Sequence, residues 1–125
     1  MARILVVDDS LYMRTMLRHI LTDAGHEVVG EAADAQKAID MARQLLPDLI
    51  TLDVILPDNT GIEVLKQIKK ERPDSKIVLV SAVGQDMIID EAKSSGAEDY
   101  IIKPFSQDKV VSTVTKVISN KTTVE

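Results

Sequence analysis

The chemistry open to this chain rests on five residues: the adjacent Asp8 and Asp9, the solitary Asp53, Ser81 and Lys103. Three carboxylates brought within a few ångströms repel by roughly 4 kcal/mol per close pair at an effective dielectric near 20. A divalent cation removes that penalty. Mg²⁺ suits an all-oxygen site, since it accepts one or two carboxylates, keeps several waters and takes phosphoryl oxygens, whereas zinc prefers nitrogen and sulfur. With charge neutralised, one carboxylate can attack a phosphoryl donor and form an acyl phosphate. Asp53 is the candidate, because it stands alone before the loop Val54-Ile55-Leu56-Pro57 while Asp8 and Asp9 are placed to share a cation. Lys103 could then pair with one phosphoryl oxygen and the Ser81 hydroxyl with another. Tyr100, three residues before Lys103, would be free to follow Ser81 as a switch.

Each residue has a plainer reading when taken alone. Asp53 could be a solvated turn residue, Asp8 and Asp9 favourable charges ahead of a helix, Ser81 a cap, Lys103 a solvated lysine and Tyr100 core packing. Only a fold that gathers them makes the chemistry real. Apolar runs at Arg3 to Val7, Glu27 to Ala32, Leu49 to Asp53, Ile77 to Ser81 and Tyr100 to Lys103 predict five strands. Five helices fall between and after them. Met13, Met16, Leu17, Ile20, Leu21 and Ala24 form one buried stripe, capped by Ser10 and stopped by Gly25. A second helix follows Asp34, buries Ala35, Ala38, Ile39, Ala42 and Leu45, and cannot pass Pro47; a third ends before Pro73. Val110, Val111, Val114, Val117 and Ile118 keep helical spacing in the last. Near-continuous apolar strands alternating with helices imply a parallel sheet covered on both faces, a doubly wound α/β fold. Asp8, Asp9, Asp53, Ser81 and Lys103 then share the edge formed by the carboxyl ends of the strands.

Composition narrows the function. Forty-five per cent hydrophobic content over 125 residues supports one core and one domain, taken as residues 1–120 with a polar tail, 121–125, expected to fray. Twenty acidic against fifteen basic residues, a net charge of -5, argue against nucleic acid and against an anionic membrane surface as the main partner. There is no cysteine, so thiolate chemistry and disulfides are excluded. No apolar run reaches membrane-span length, and a soluble, cytoplasmic monomer is expected. His19 and His26 lack partners at ligand spacing, and Arg14 with Arg18, one turn apart, read as a solvated face.

Asp8-Asp9, Asp53-x-x-x-Pro57, Ser81-Ala82 and Lys103-Pro104, over about residues 3 to 119, resemble the receiver domains of response regulators. Met13-Arg14, Gly84-Gln85 and Phe105 look more like the chemotaxis subgroup than transcriptional receivers. The resemblance implies a flavodoxin-like sheet in the order 2-1-3-4-5, whose reversal between strands one and three places Asp9 opposite Asp53. It implies phosphoryl transfer from a histidine kinase to Asp53, with Mg²⁺ held by Asp9, Asp53 and the backbone carbonyl of Ile55 and with Asp8 acting mostly through water. A cis peptide before Pro104 is implied too. Leu56, Asn59-Thr60 and Ser81 depart from the residues commonest at their positions, but none removes a group the chemistry needs.

The resulting expectation is a signalling module, not an enzyme with an outside substrate, acting by phosphorylation-dependent contact with a motility component or adaptor. A stand-alone phosphorelay intermediate is the alternative. A phosphatase of the haloacid-dehalogenase type would want Asp-x-Asp after the first strand, and a flavodoxin more aromatics than two Tyr and one Phe. The output face is expected on the helix after Ser81, the strand carrying Tyr100 and the last helix, with Asp86, Asp90 and Glu91 making part of it acidic and attracting a basic partner. Ile55 and Val83, two residues after Asp53 and Ser81, are apolar and cannot orient a hydrolytic water, so a long-lived phosphoryl group and a separate phosphatase are expected.

Overall fold

Alternation decides which side each strand residue takes. In β1 (Arg3–Val7), Ile4 and Val6 join one buried cluster and Leu5 and Val7 another, so this strand needs cover on both faces. β3 (Leu49–Asp53) and β4 (Lys76–Ala82) repeat the pattern, while β2 (Glu27–Ala32) and β5 (Asp99–Lys103) form the half-exposed edges. The computed structural model describes residues 1–82 and 86–119, with side chains for all of these except Asp86 and Met87. All strand pairs are parallel, in the order β2-β1-β3-β4-β5.

Five helices supply the cover: α1 (Leu11–Asp23), α2 (Ala35–Leu45), α3 (Gly61–Glu71), α4 (Asp86–Ser94) and α5 (Gln107–Ser119). Leu17, Ile20 and Leu21 of α1 and Val110, Val114 and Val117 of α5 pack on one face with Ile4, Val6 and Val78. Ala35, Ala38 and Ala42 of α2, Leu65 and Ile68 of α3 and Ala92 of α4 pack on the other, with Leu5, Ile50 and Leu79. Each fully buried Leu or Ile stabilises the fold by roughly 1.5–3 kcal/mol, and the central strands carry most of them.

Local chemistry fixes the helix ends. Ser10 accepts a hydrogen bond from the Met13 N–H and Asp34 from the Lys37 N–H, as their positions predict. The α1 stripe holds at Leu17, Ile20 and Leu21, and Met13 and Met16 are half-buried. Ala24 differs: it is exposed, because the helix ends at Asp23 and Gly25 turns the chain away at φ 94°. Leu46 takes the left-handed conformation at φ 47° to close α2 before Pro47. At α3 the hydroxyl of Thr60 caps the Glu63 N–H, so the residue that looks unusual in sequence fills the capping position. The expected cis peptide joins Lys103 to Pro104.

Candidate functional site

The carboxyl ends of β1, β3, β4 and β5 meet at one edge of the sheet. Asp8 leaves β1 almost fully buried, its N–H bonded to the Ala32 carbonyl and its Oδ1 accepting from the Ser10 N–H at 2.9 Å. Asp53 ends β3 at 8% exposure. Asp9 is exposed, and its carboxylate has no hydrogen bond or ion pair among the described residues. Carboxylate oxygens of Asp8, Asp9 and Asp53 all lie within 4.8 Å of one another. Lys103 reaches in from the end of β5, its Nζ 3.2 Å from Asp8 Oδ2 and 3.3 Å from Asp53 Oδ2.

One ammonium does not balance three carboxylates. Burial, and then the Asp8 charge, push the Asp53 carboxyl above its ordinary pKa, overcoming the opposing pull of Lys103 and the weak 3.5 Å hydrogen bond from the Ile55 N–H. Lys103 is held above its ordinary value: burial acts to lower it, but Asp53 and Asp8 together outweigh burial. An uncompensated, all-oxygen donor set of this kind fits a hard divalent cation, and Asp9, with no protein partner, is free to meet it. Ser81 adds a second unmet demand. It is 1% exposed and its Oγ has no hydrogen-bond partner among the described residues. A buried hydroxyl left unpaired costs about 1–3 kcal/mol, which an incoming oxygen ligand could relieve.

Tyr100 pairs in register with Leu79 of β4, and both pack on the sheet face covered by α2, α3 and α4; Ser81, two residues beyond Leu79, shares that side. The Tyr100 ring is half-buried beneath the Lys93 ammonium, 5.1 Å from its centroid. Ile55 exposes 61% of its surface and borders an apolar groove with Ile62 and Ile88; Val83, its expected counterpart, lies outside the described residues. Gly84 and Gln85 lie outside them as well.

Three contributors were not legible beforehand. Arg14 is no solvated residue: its side chain is 15% exposed, and its guanidinium donates to the Asp8 carbonyl at 2.8 Å and pairs with Glu31 at 3.1 Å. Arg18 joins the same Glu31 at 2.6 Å. Asp58, in the loop after β3, accepts from the Ala35 and Gln36 N–H groups and so ties that loop to α2; those two bonds hold its pKa below the ordinary carboxylate value. Gly61 begins α3 against the Asp53 main chain, with its N–H on the Val54 carbonyl at 2.5 Å.

On α4, Asp90 and Glu91 are exposed. Glu91 turns toward α3 and pairs with Lys66 at 3.3 Å, and the Asp86 side chain lies outside the described residues. Beside edge strand β5 runs a separate groove of about 580 Å³, lined by Tyr100, Ile102 and Phe105 and by Lys109 and Lys116. Asp99, at its margin, is 3.8 Å from Lys116. The groove is mixed in polarity, and its charged lining residues are two lysines and one aspartate.

Residues 4–115 match the family model described as the response regulator receiver domain. The chain belongs to that family. It is 44% identical over 115 residues to the chemotaxis protein CheY of Thermotoga maritima, covering 92% of this chain and 96% of that one. It is 39% identical to CheY of Bacillus subtilis, covering 94% and 98%. Its fold matches the response regulator domain of Thermotoga maritima CheB with a TM-score of 0.87 at 34% identity, covering 95% of this chain and 97% of that one. This receiver is thus a module of two-component signalling with chemotaxis homologues, as its acidic pair, Asp53 and Lys103-Pro104 led us to expect. No helix among the described residues is long and apolar enough to cross a membrane.

Proposed function

We propose that this receiver accepts a phosphoryl group on Asp53 from a histidine kinase and, so modified, binds a component or adaptor of a motility apparatus. The observation that carries this reading is the convergence of Asp8, Asp9, Asp53 and Lys103 at the carboxyl ends of the strands, where β4 also carries the buried Ser81 with its unpartnered hydroxyl. Mg²⁺, held by Asp9, Asp53 and the Ile55 carbonyl with Asp8 behind them, would neutralise the carboxylates and the phosphoryl oxygens. Asp53 supplies the attacking oxygen: a new bond to phosphorus forms as the bond from phosphorus to the donor imidazole nitrogen breaks. Lys103, already shared between Asp8 and Asp53, turns to a phosphoryl oxygen, and the Ser81 O–H donates to another. Drawing Ser81 toward the site opens space on the side of the sheet that Tyr100 shares, which couples the acceptor to the outer surface of β5.

The groove along β5 is the output surface in this reading. Its Tyr100, Ile102 and Phe105 side chains and its two lysines fit an acidic segment with apolar anchors, whereas the acidic residues of α4, on the neighbouring part of the face, would favour a basic one. Chemotaxis relatives along most of the chain favour a motility partner over a relay.

The deciding experiment is incubation with acetyl phosphate and Mg²⁺. Intact-mass spectrometry should record one added phosphoryl group on the native chain and none on Asp53→Asn. An undiminished mass gain in that variant would place the acceptor elsewhere.

A further inference from the structure

Among the polar contacts near the acidic edge, one reaches the main chain between the two first carboxylates. Asp8 is held at both ends of its backbone: its N–H bonds the Ala32 carbonyl at 3.0 Å and its carbonyl accepts from Arg14 Nη1 at 2.8 Å. Asp8 itself is 1% exposed, so without Arg14 this carbonyl would be a buried acceptor lacking its protein donor. The carbonyl belongs to the peptide that joins Asp8 to Asp9. Fixing its direction fixes where the chain delivers the Asp9 side chain, which has no hydrogen bond of its own among the described residues to hold it. Arg14 is fixed in turn: Glu31, on β2, receives its Nε at 3.1 Å through one carboxylate oxygen and Arg18 at 2.6 Å through the other.

We infer that Arg14, anchored by Glu31, is a positioning residue that orients the Asp8–Asp9 peptide so that Asp9 is presented to a divalent cation. This rests on the reading of the acidic cluster as a Mg²⁺ site. Partners that orient a metal ligand without touching the metal typically govern about ten- to a hundredfold of metal affinity. The guanidinium geometry is what the task requires, because one planar fork serves the carbonyl and the carboxylate together, and a lysine ammonium cannot reproduce both angles.

The sign of the effect separates positioning from plain electrostatics. Arg14 is a cation beside a cation site, so on charge alone its removal should tighten Mg²⁺ binding, and replacement by lysine should leave binding unchanged. Positioning demands the reverse in both variants. We would follow amide NMR shifts during MgCl₂ titration of the full chain, with Arg14→Ala, Arg14→Lys and Arg18→Ala, and Asp9→Asn as the reference for a lost ligand. Arg14→Ala should bind on the order of tenfold more weakly and Arg14→Lys distinctly more weakly than the native chain. Arg18→Ala removes an equal charge from Glu31 without touching the Asp8 carbonyl, and should stay within about twofold, inside the scale of exposed ion pairs. Metal-free melts record the loss of stability separately. Unchanged or tighter binding by Arg14→Lys, which keeps the charge and most of the packing, would overturn the inference even if Arg14→Ala failed to fold. A native chain that shows no Mg²⁺ response would overturn the metal site itself, and the inference with it; the two failures are distinguished by the native titration.

Discussion

Gly61 stands against Asp53 so closely that a Cβ on the glycine would overlap the Asp53 carbonyl oxygen and crowd the Val54 Cα. Both obstacles are main chain and cannot swing aside. The first residue of α3 therefore limits how far the end of β3 and its loop can move toward it. Gly61→Ala should cost about 1–3 kcal/mol, the range for forcing extra volume into a packed site, and should slow phosphorylation by acetyl phosphate because relief comes from shifting Asp53. Urea unfolding and the rate of phosphoryl mass gain measure the two effects. A neutral result in both would mean that the helix start yields instead of the strand.

Asp53 also controls how stability varies with pH. Burial and the Asp8 charge raise its pKa above the ordinary 3.8, so folding favours its protonated form. The stability linked to that proton is fully present below the ordinary value and is lost as pH rises through the raised one. Asp53→Asn cannot ionise. Without metal, it should be more stable than the native chain at pH 7 by on the order of 1 kcal/mol, since Lys103 offsets much of the carboxylate repulsion. The advantage should shrink as pH falls through the carboxylate range. Saturating Mg²⁺ should raise the native melting temperature more than that of Asp53→Asn or Asp9→Asn. Thermal melts from pH 3 to 7, about the span over which a carboxylate titrates, with and without Mg²⁺, check both signs; a pH-independent difference would contradict the account.

Two buried hydroxyls lack partners among the described residues, and their positions predict different outcomes. Thr51 is fully buried in mid-strand, in register with Val6 and Val78, on the side packed by α1 and α5. Thr51→Val keeps its shape and removes an unpaired polar group, so it should stabilise the fold by about 1 kcal/mol and leave phosphorylation intact. Ser81→Ala should stabilise as well but should impair the phosphorylated state, because Ser81 lies at the end of β4 beside the acceptor. Denaturant midpoints and the extent of phosphorylation separate the two. If Thr51→Val destabilised, the hydroxyl would have to be bonded to water.

The strands, the helical stripes and the caps at Ser10 and Asp34 were legible because they depend on periodicity or on residues three apart. The acidic edge was legible because each of its residues terminates a recognisable strand. Arg14 and Asp58 were not, for a physical reason: Glu31 is 17 residues from Arg14, and Ala35 is 23 from Asp58. A one-turn spacing of arginines looks the same whether it faces solvent or another strand. The lysines of the proposed output groove were not legible for the same reason. Asp90 and Glu91 sit on the helix that follows Ser81, but Lys109 and Lys116 come from α5, and only the packing of α5 beside β5 brings them to that edge.

The lifetime of the proposed acyl phosphate would follow from what surrounds it. Hydrolysis needs a water in line behind phosphorus, and a polar side chain beside Asp53 could hold that water. Ile55 cannot. It lies two residues after the acceptor, 61% exposed at the mouth of an apolar groove with Ile62 and Ile88. An apolar side chain in that place crowds water without orienting it. The phosphorylated form should therefore decay slowly, and rapid signalling would call on a phosphatase that brings its own polar group. Ile55→Asn should speed decay on the order of tenfold, well under the hundredfold penalty for misplacing a reacting group by about 1 Å. Adding Val83→Glu, on the residue two beyond Ser81, should speed it further. Decay is followed by mass spectrometry after removal of the donor, at saturating Mg²⁺ so that metal occupancy does not differ between variants. Equal or slower decay in the double variant would show that these side chains do not govern water access, leaving Lys103 and the backbone around Asp53 to set the lifetime.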